Sequence, residues 1–355
     1  MFIVGQTGTG KTSLLANMAK QDAELGNGFC LIDPHGDLAR ALHKNIRSDH
    51  IYWDAADSAN EYGYNPLTRT SAELRPLVAS GLIDSLKQQW SDAWGVRMEH
   101  LLRHASLALL ELPRADLRDI VPLFIERSFR DRVITQLSDP QVIKFWREEY
   151  KAMNYKTAMD GVAPIANKLS ALLSHPVLRR SICDPVKPLR FRKLMDDGKI
   201  IIVNLAKGRL GTDIADVLGG FLVSSVMNAA FSRYNLESEL RRPFYLYVDE
   251  FPSFSTRAFA DMLAEARKYR LGVILANQNI AQADRELFSA IIGNVGTTCA
   301  FRIGSLDAPF FATHLETISE FDLTRLPNYR AYVQLMVRGH KTQTFSANMY
   351  PPFHS

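Results

Sequence analysis

The chain has 355 residues, 46% hydrophobic and 23% charged, which excludes a disordered or low-complexity polymer and exceeds what one compact core usually holds. With 42 basic against 38 acidic residues the formal charge is +4, so nucleic acid is permitted as a partner but not demanded. Cys30, Cys183 and Cys299 stand too far apart for a C-x-x-C site, which argues against a thiolate metal centre or disulfide framework and fits a reducing cytoplasm, and no apolar stretch approaches the roughly 20 residues of a membrane span.

In chain order, a short apolar strand, Phe2-Ile3-Val4, runs into Gly5-Gln6-Thr7-Gly8-Thr9-Gly10-Lys11-Thr12 and then into the helical pattern Ser13-Leu14-Leu15-Ala16-Asn17-Met18. A strand, a G-x-x-x-x-G-K-[ST] loop and a helix in that order form a phosphate-binding loop. Its glycines let backbone N–H groups turn inward on a triphosphate, Lys11 neutralises charge on the β- and γ-phosphates, and the Thr12 hydroxyl ligates Mg²⁺. Gly5, Gln6, Thr7, Gly8, Thr9, Gly10, Lys11, Thr12 and Ser13 are the candidate nucleotide-binding segment. Only four residues precede the loop, which raises the expectation of further chain upstream of Met1.

Two strand-like runs follow, Gly28 to Asp33 and His50 to Asp54, the first closed by the turn Pro34-His35-Gly36-Asp37. The β-α-β order predicts a parallel sheet. From about Ser71 the texture changes to helical periodicities, such as Met98 to Leu112 and Val142 to Tyr150, separated by Pro113, Pro140, Pro164 and Pro176. Strands resume with Lys199 to Leu205, Phe244 to Asp249, Gly272 to Gln278, Thr297 to Ile303 and Ala331 to Val337. The predicted architecture is α/β: a RecA-like P-loop core with a mostly parallel sheet, built from residues 1–70 and 186–355, and an all-helical domain inserted at 71–185.

Chemistry concentrates at the run Arg242 to Glu250, a buried strand ending in two adjacent carboxylates. That is what a P-loop ATPase needs opposite its lysine: Asp249 to hold Mg²⁺ through water and Glu250 to polarise the attacking water. Asp33, at the end of the strand after the P-loop helix, is a competing metal acid of the kind kinase-like proteins use, but no glutamate follows it. Gln278 ends the next strand and is a candidate γ-phosphate sensor. The helix Leu263 to Arg270 ends in Arg267, Lys268 and Arg270, whose simplest meaning is a favourable cationic C-terminus.

These residues, with Asp33-Pro34-His35-Gly36-Asp37-Leu38, Tyr64-Asn65-Pro66-Leu67, Asp249-Glu250-Phe251, Glu265-Ala266-Arg267-Lys268-Tyr269, Asn277-Gln278 and Ile292-Gly293-Asn294-Val295, resemble the HerA/FtsK superfamily of DNA-pumping ATPases. Within it, the chain is most similar to conjugative type IV secretion coupling proteins of the TraG/TraD type, which also carry a helical insertion. The resemblance spans nearly the whole chain. It implies an ATP- and Mg²⁺-dependent DNA translocase acting as a homo-hexameric ring, with Lys11, Thr12, Asp249, Glu250 and Gln278 serving one subunit's nucleotide and Arg267 reaching the neighbour's γ-phosphate. Arg302 is a second arginine candidate, with a structural pair to Asp307 as the alternative. Implied partners are DNA and either a relaxase and secretion-channel proteins or, for a HerA-like pump, a nuclease; a nucleotide-gated cargo-docking protein is the non-motor alternative. Membrane contact is expected only through a segment preceding Met1, which would place the protein at the inner face of the bacterial cell membrane.

Other signals have plainer readings. His100 and His104 lie four apart on a helix, a spacing open to zinc, yet no glutamate follows His100 and no third ligand is evident. Lys207 and Arg209, and the cluster Arg179, Arg180, Lys187, Arg190, Arg192 and Lys193, could touch phosphates, but solvated surface explains them equally well. Trp53, Trp90, Trp94 and Trp146 read as core, and Phe251-Pro252-Ser253-Phe254 as a lid or packing loop.

Overall fold

A computed structural model of the protein describes residues 1–91, 94–153, 155–251, 257–279 and 285–353. The chain forms two compact units. The first comprises Met1–Asp54, Phe191–Lys207 and Ala229–Ser355; the second comprises Ala55–Arg190 and Gly208–Asn228.

The first unit holds a nine-stranded sheet. In chain order its strands are β1 (Phe2–Val4), β2 (Gly28–Asp33), β3 (His50–Asp54), β4 (Ile200–Asn204), β5 (Phe244–Val248), β6 (Leu271–Asn277), β7 (Thr298–Ala300), β8 (Arg330–Gln334) and β9 (Phe345–Asn348). Their spatial order is β9-β8-β7-β1-β6-β5-β2-β4-β3. The seven strands from β7 to β3 are parallel, and β8 and β9 close one edge in antiparallel fashion. β1, β2 and β4 are buried at every position, so their sequences are continuous apolar runs rather than alternations, as a sheet covered on both faces requires.

Two helices complete the β-α-β-α-β start: α1 (Lys11–Glu24) and α2 (Asp37–Asn45). α1 turns Leu15, Ala16, Ala19 and Ala23 into a core shared with Ile3, Leu31, Leu38, Leu42, Ile202 and Phe301. Each large aliphatic or aromatic side chain so buried contributes about 1.5–3 kcal/mol. The Tyr247 hydroxyl donates to Asp22 on α1, tying β5 to the P-loop helix. The register sets the site: Val4 pairs with Asn277, and Ile32 with Val248. The ends of β1, β2, β5 and β6 therefore lie along one edge of the sheet, where the loops of a parallel sheet place ligands.

In the second unit, the helix Val96–Leu109 packs against Arg75–Gln89 and Tyr155–Leu173, burying Leu82, Ile83, Leu86, Leu101, Leu102, Ala105, Ile165 and Leu169. A two-residue parallel pair, Tyr62–Gly63 with Lys187–Pro188, joins its ends. This unit also takes in residues 208–228, assigned by sequence to the second nucleotide-binding segment.

Several expectations change. The periodicity from Val142 to Tyr150 is not one α-helix: a π-helical turn, Phe145–Glu149, interrupts it and brings Phe145 and Trp146 side by side into the core. The stretch Ala331 to Val337 divides, because Met336–Val337 leaves the sheet to pair with His340–Lys341. β9 was not read from sequence at all. Trp53 and Trp146 are fully buried, but Trp90 and Trp94 are half-buried. Thr212–Asn235 is long and apolar enough to span a membrane, with a mean hydropathy of 1.6, against the expectation that no stretch approaches that length; 72% of that window is buried inside the protein, as in a core helix. Residues 252–254 of the supposed lid lie outside the described residues.

Candidate active site

The P-loop hangs between β1 and α1. Gly5 carries the close approach: a Cβ there would lie 2.6 Å from the Phe301 Cβ, so no larger residue fits without moving β1 from its neighbour. Lys11 is buried, and its ammonium donates to the carbonyls of Gly5 and Gln6, the latter at 3.1 Å. Burial lowers its pKa, opposed by the charges of Asp249 and Glu250.

Those two acids follow β5. The Asp249 N–H donates to the Ile32 carbonyl at 3.1 Å, fixing the residue beside the tip of β2. Burial, with the like charges of Asp33 and Glu250, raises the Asp249 carboxyl to about 6, while Lys11 opposes the rise. A half-buried acid so placed is poised to receive a cation. Glu250 adopts φ +51°, a left-handed conformation that costs a non-glycine residue about 1–2 kcal/mol. Its Oε2 accepts from His35 Nε2 at 2.9 Å, and its Oε1 accepts from the Gln278 side-chain amide. Gln278 Oε1 in turn accepts from the Thr7 hydroxyl at 2.9 Å. Asn277 braces this strand tip, its side chain accepting from Gln278 N at 2.7 Å and donating to the Asn279 carbonyl at 2.7 Å.

Asp33 is fully buried and serves its own turn. Its two oxygens accept from the backbone N–H groups of His35 (2.9 Å) and Ala39 (2.8 Å), capping the entry to α2. Gly36, at φ +87°, is the only residue type the turn admits, because a Cβ would lie 2.1 Å from Asn204 Oδ1.

A cavity of about 450 Å³ is lined by Thr7, Gly8, Gly10, Lys11, Thr12 and Ser13 on the P-loop side, and by Asp33, His35, Asp37, Leu38, Asp249, Glu250, Gln278 and Tyr329 around it. That volume suits a nucleotide-sized ligand. Thr12 is exposed there. The structure thus brings together Lys11, Thr12, Asp249, Glu250 and Gln278 from segments far apart in the chain. Four lining residues, His35, Asp37, Leu38 and Tyr329, have no role assigned from sequence, and two of them make contacts that matter to the site. His35 stood inside a motif already noticed, so its signal was available. Tyr329 had none: its N–H donates to the Thr9 carbonyl at 2.7 Å while its carbonyl accepts from Met349 N at 2.6 Å, placements that only β8 and the C-terminal segment create.

Arg267 is not part of this cavity. It lies in the single turn Arg267–Tyr269, exposed, just before β6. Leu271 at the start of β6 pairs with Phe244 at the start of β5, so Arg267 sits at the sheet edge opposite the P-loop, about 20 Å away by the rise of a seven-residue strand. Arg302 lies beside the P-loop, donating to Gln6 Oε1 at 3.3 Å and to the Leu326 carbonyl at 3.1 Å.

The remaining candidates resolve locally. His104 stacks on Phe145 at 3.7 Å with His100 edge-on at 4.7 Å, and no group of three metal-ligating residues occurs among the described residues. Much of the basic cluster is tied down by neighbours: Lys187 to Glu61, Arg192 to Asp196, Lys193 to Asp197 and Arg180 to the Ser58 carbonyl.

A mostly parallel sheet with a P-loop and a carboxylate pair at one edge defines the RecA-like P-loop fold. Over residues 1–305 the chain matches the family described as the type IV secretion-system coupling protein DNA-binding domain. It belongs to that family, within the HerA/FtsK superfamily. A search of curated proteins by sequence finds no match. Among solved structures, the unbound plasmid coupling protein TrwB lacking its first 70 residues superposes with a TM-score of 0.69 at 17% identity, covering 98% of this chain and 84% of that one. TrwB in complex with ADP and Mg²⁺ also gives 0.69, at 16% identity, covering 100% and 86%. VirB4 of Thermoanaerobacter pseudethanolicus gives 0.63 at 14% identity, covering 99% and 89%.

Proposed function

We propose that the protein is an ATP-hydrolysing DNA translocase that couples DNA to a type IV secretion channel. One observation carries the catalytic part: Glu250 is held at the cavity by side chains from two other strand ends, His35 and Gln278, opposite the buried Lys11. A carboxylate fixed from both sides beside a P-loop is what a general base for water requires.

The residues present fit Mg²⁺ and a nucleoside triphosphate. Asp249 is a half-buried acid with a raised pKa, Thr12 offers a hydroxyl, and the Lys11 ammonium rests on loop carbonyls that phosphate oxygens can replace. Asp249 and Thr12 would hold Mg²⁺, which when bound neutralises charge on the β- and γ-phosphates. Gly5 to Ser13 bind the phosphates. Glu250 takes a proton from water as the water oxygen bonds to the γ-phosphorus and the bond to the β-bridging oxygen breaks, giving ADP and inorganic phosphate. Gln278 orients Glu250, and Arg267 serves the next subunit of a homo-hexameric ring. Support from the relatives is that TrwB is solved with ADP and Mg²⁺ and with a non-hydrolysable ATP analogue.

The phosphotransferase alternative would need Asp33 at the metal, yet both its oxygens accept from backbone N–H groups. Family membership favours a conjugative substrate, with relaxase and channel proteins as partners, over a nuclease-linked pump. DNA-stimulated ATP hydrolysis that weakens steeply with salt is the test. A docking module without motor activity would bind nucleotide and show no stimulation.

A further inference from the structure

The geometry points to His35 as the positioning residue for Glu250, a role that rests on the ATPase reading above. Glu250 cannot hold its direction alone. Its backbone is left-handed at φ +51°, and its side chain leaves a strand end on rotatable bonds. Two groups fix the carboxylate, one on each oxygen: Gln278 on Oε1 and His35 Nε2, at 2.9 Å, on Oε2. An ionised carboxylate only accepts, so His35 Nε2 carries the proton and donates.

His35 is built to hold that place. The preceding Pro34 fixes its own φ, Gly36 turns the chain at φ +87°, and the His35 N–H is bound to Asp33 Oδ1 at 2.9 Å. Asp33 is fully buried and also caps α2 through Ala39. The imidazole is therefore presented from a turn whose backbone is fixed on both sides. The hydrogen bonds run without a break from Thr7 through Gln278 and Glu250 to His35. Four chain segments, the P-loop and the ends of β6, β5 and β2, are joined in series through these side chains, and Glu250 is the link between Gln278 and His35. Removing His35 leaves Oε2 without its donor and lets the carboxylate swing away from the attacking water. Misplacement of a reacting group by about 1 Å can lower a rate by about a hundredfold.

The experiment measures steady-state ATP hydrolysis and ADP affinity for H35A, H35N, H35Q, E250Q and H35A/E250Q. H35A should lower kcat about tenfold or more, with KM for ATP and the ADP dissociation constant within about twofold of the parent. H35Q, whose amide nitrogen reaches about as far as Nε2, should recover most of kcat; H35N, one carbon shorter, should not. The double variant should be no slower than E250Q. A kcat for H35A equal to or above the parent's, a loss of ADP affinity as large as the loss of kcat, or full additivity in the double variant would overturn the role. Should H35A fail to bind ADP because it does not fold, the contrast of H35N with H35Q decides the matter. E250Q separates the two readings: an active E250Q removes Glu250 as the base, while an inactive E250Q with a fully active H35A removes only His35.

Discussion

The Thr7 hydroxyl donates to Gln278 Oε1 at 2.9 Å, joining two residues 271 positions apart. Thr7 is in the P-loop, and Gln278 is the residue whose amide holds Glu250. A change in the P-loop thus has a one-residue route to Glu250.

Gln278→Ala removes both links at once. Hydrolysis should fall by about ten- to a hundredfold, in line with the loss of an orienting group, while ADP affinity stays within about threefold. Gln278→Glu should be worse, because a second carboxylate then faces Glu250. Steady-state kinetics beside ADP titrations check both; wild-type turnover in Gln278→Ala would show that Glu250 needs no help from β6.

Lys11→Ala should abolish nucleotide binding rather than turnover alone, since it removes the P-loop ammonium that lines the cavity. Thermal melts give the readout. The parent should gain about 2.7 kcal/mol of stability at a nucleotide concentration 100 times its dissociation constant, and Lys11→Ala should gain almost nothing. Without nucleotide, the variant leaves the half-buried Asp249 without the Lys11 charge that opposes its raised pKa, so its unliganded melt should also fall.

Sequence legibility followed the range of each interaction. Local signals were clear: the P-loop, the continuous apolar runs of β2 and β4, and Asp249-Glu250 at a strand end all declare themselves within about ten residues. What stayed hidden depends on contacts across the fold. His35 gains a role only because β2 and β5 are adjacent, and Tyr329 only because β8 returns past the P-loop. The π-helical turn at Phe145–Glu149 is invisible to periodicity, since one extra residue in a turn mimics noise in a 3.6-residue pattern. The apolar helix at Thr212 is hidden in the sequence because Gly219, Gly220, Ser224 and Ser225 break the run of hydrophobic letters, although both glycines are buried and both serines half-buried.

His104 predicts how the second unit responds to acid. Burial, together with the nearby His100 and Arg103, lowers its pKa from 6.5 to about 4, and its Nδ1 is buried without a partner. The unfolded chain therefore takes up a proton below pH 6.5 that the folded chain refuses until about pH 4. Stability from this residue is fully present above pH 6.5 and is lost as the pH falls, by up to about 2 kcal/mol at pH 5. His104→Phe keeps an aromatic ring against Phe145 and removes the proton uptake. Urea melts at pH 7.5 and pH 5 should show a smaller acid loss for the variant than for the parent; equal losses would remove His104 as the cause.

Arg267 offers the sharpest test of a ring. It lies at the sheet edge opposite the cavity, about 20 Å from it by the length of β6, too far for a side chain to reach its own subunit's phosphates. Arg267→Ala should bind ATP normally and lose hydrolysis by about 10³-fold, the scale of an arginine finger. Lys11→Ala is inactive for the opposite reason, since it keeps Arg267 and lacks the phosphate site. Mixed in one ring, an Arg267→Ala subunit with its intact P-loop can receive Arg267 from a Lys11→Ala neighbour. Two inactive proteins combined should therefore regain ATPase activity, with a maximum near equal proportions. A structural role for Arg267 gives no recovery at any ratio, because the subunit with the intact P-loop would still carry its own defect.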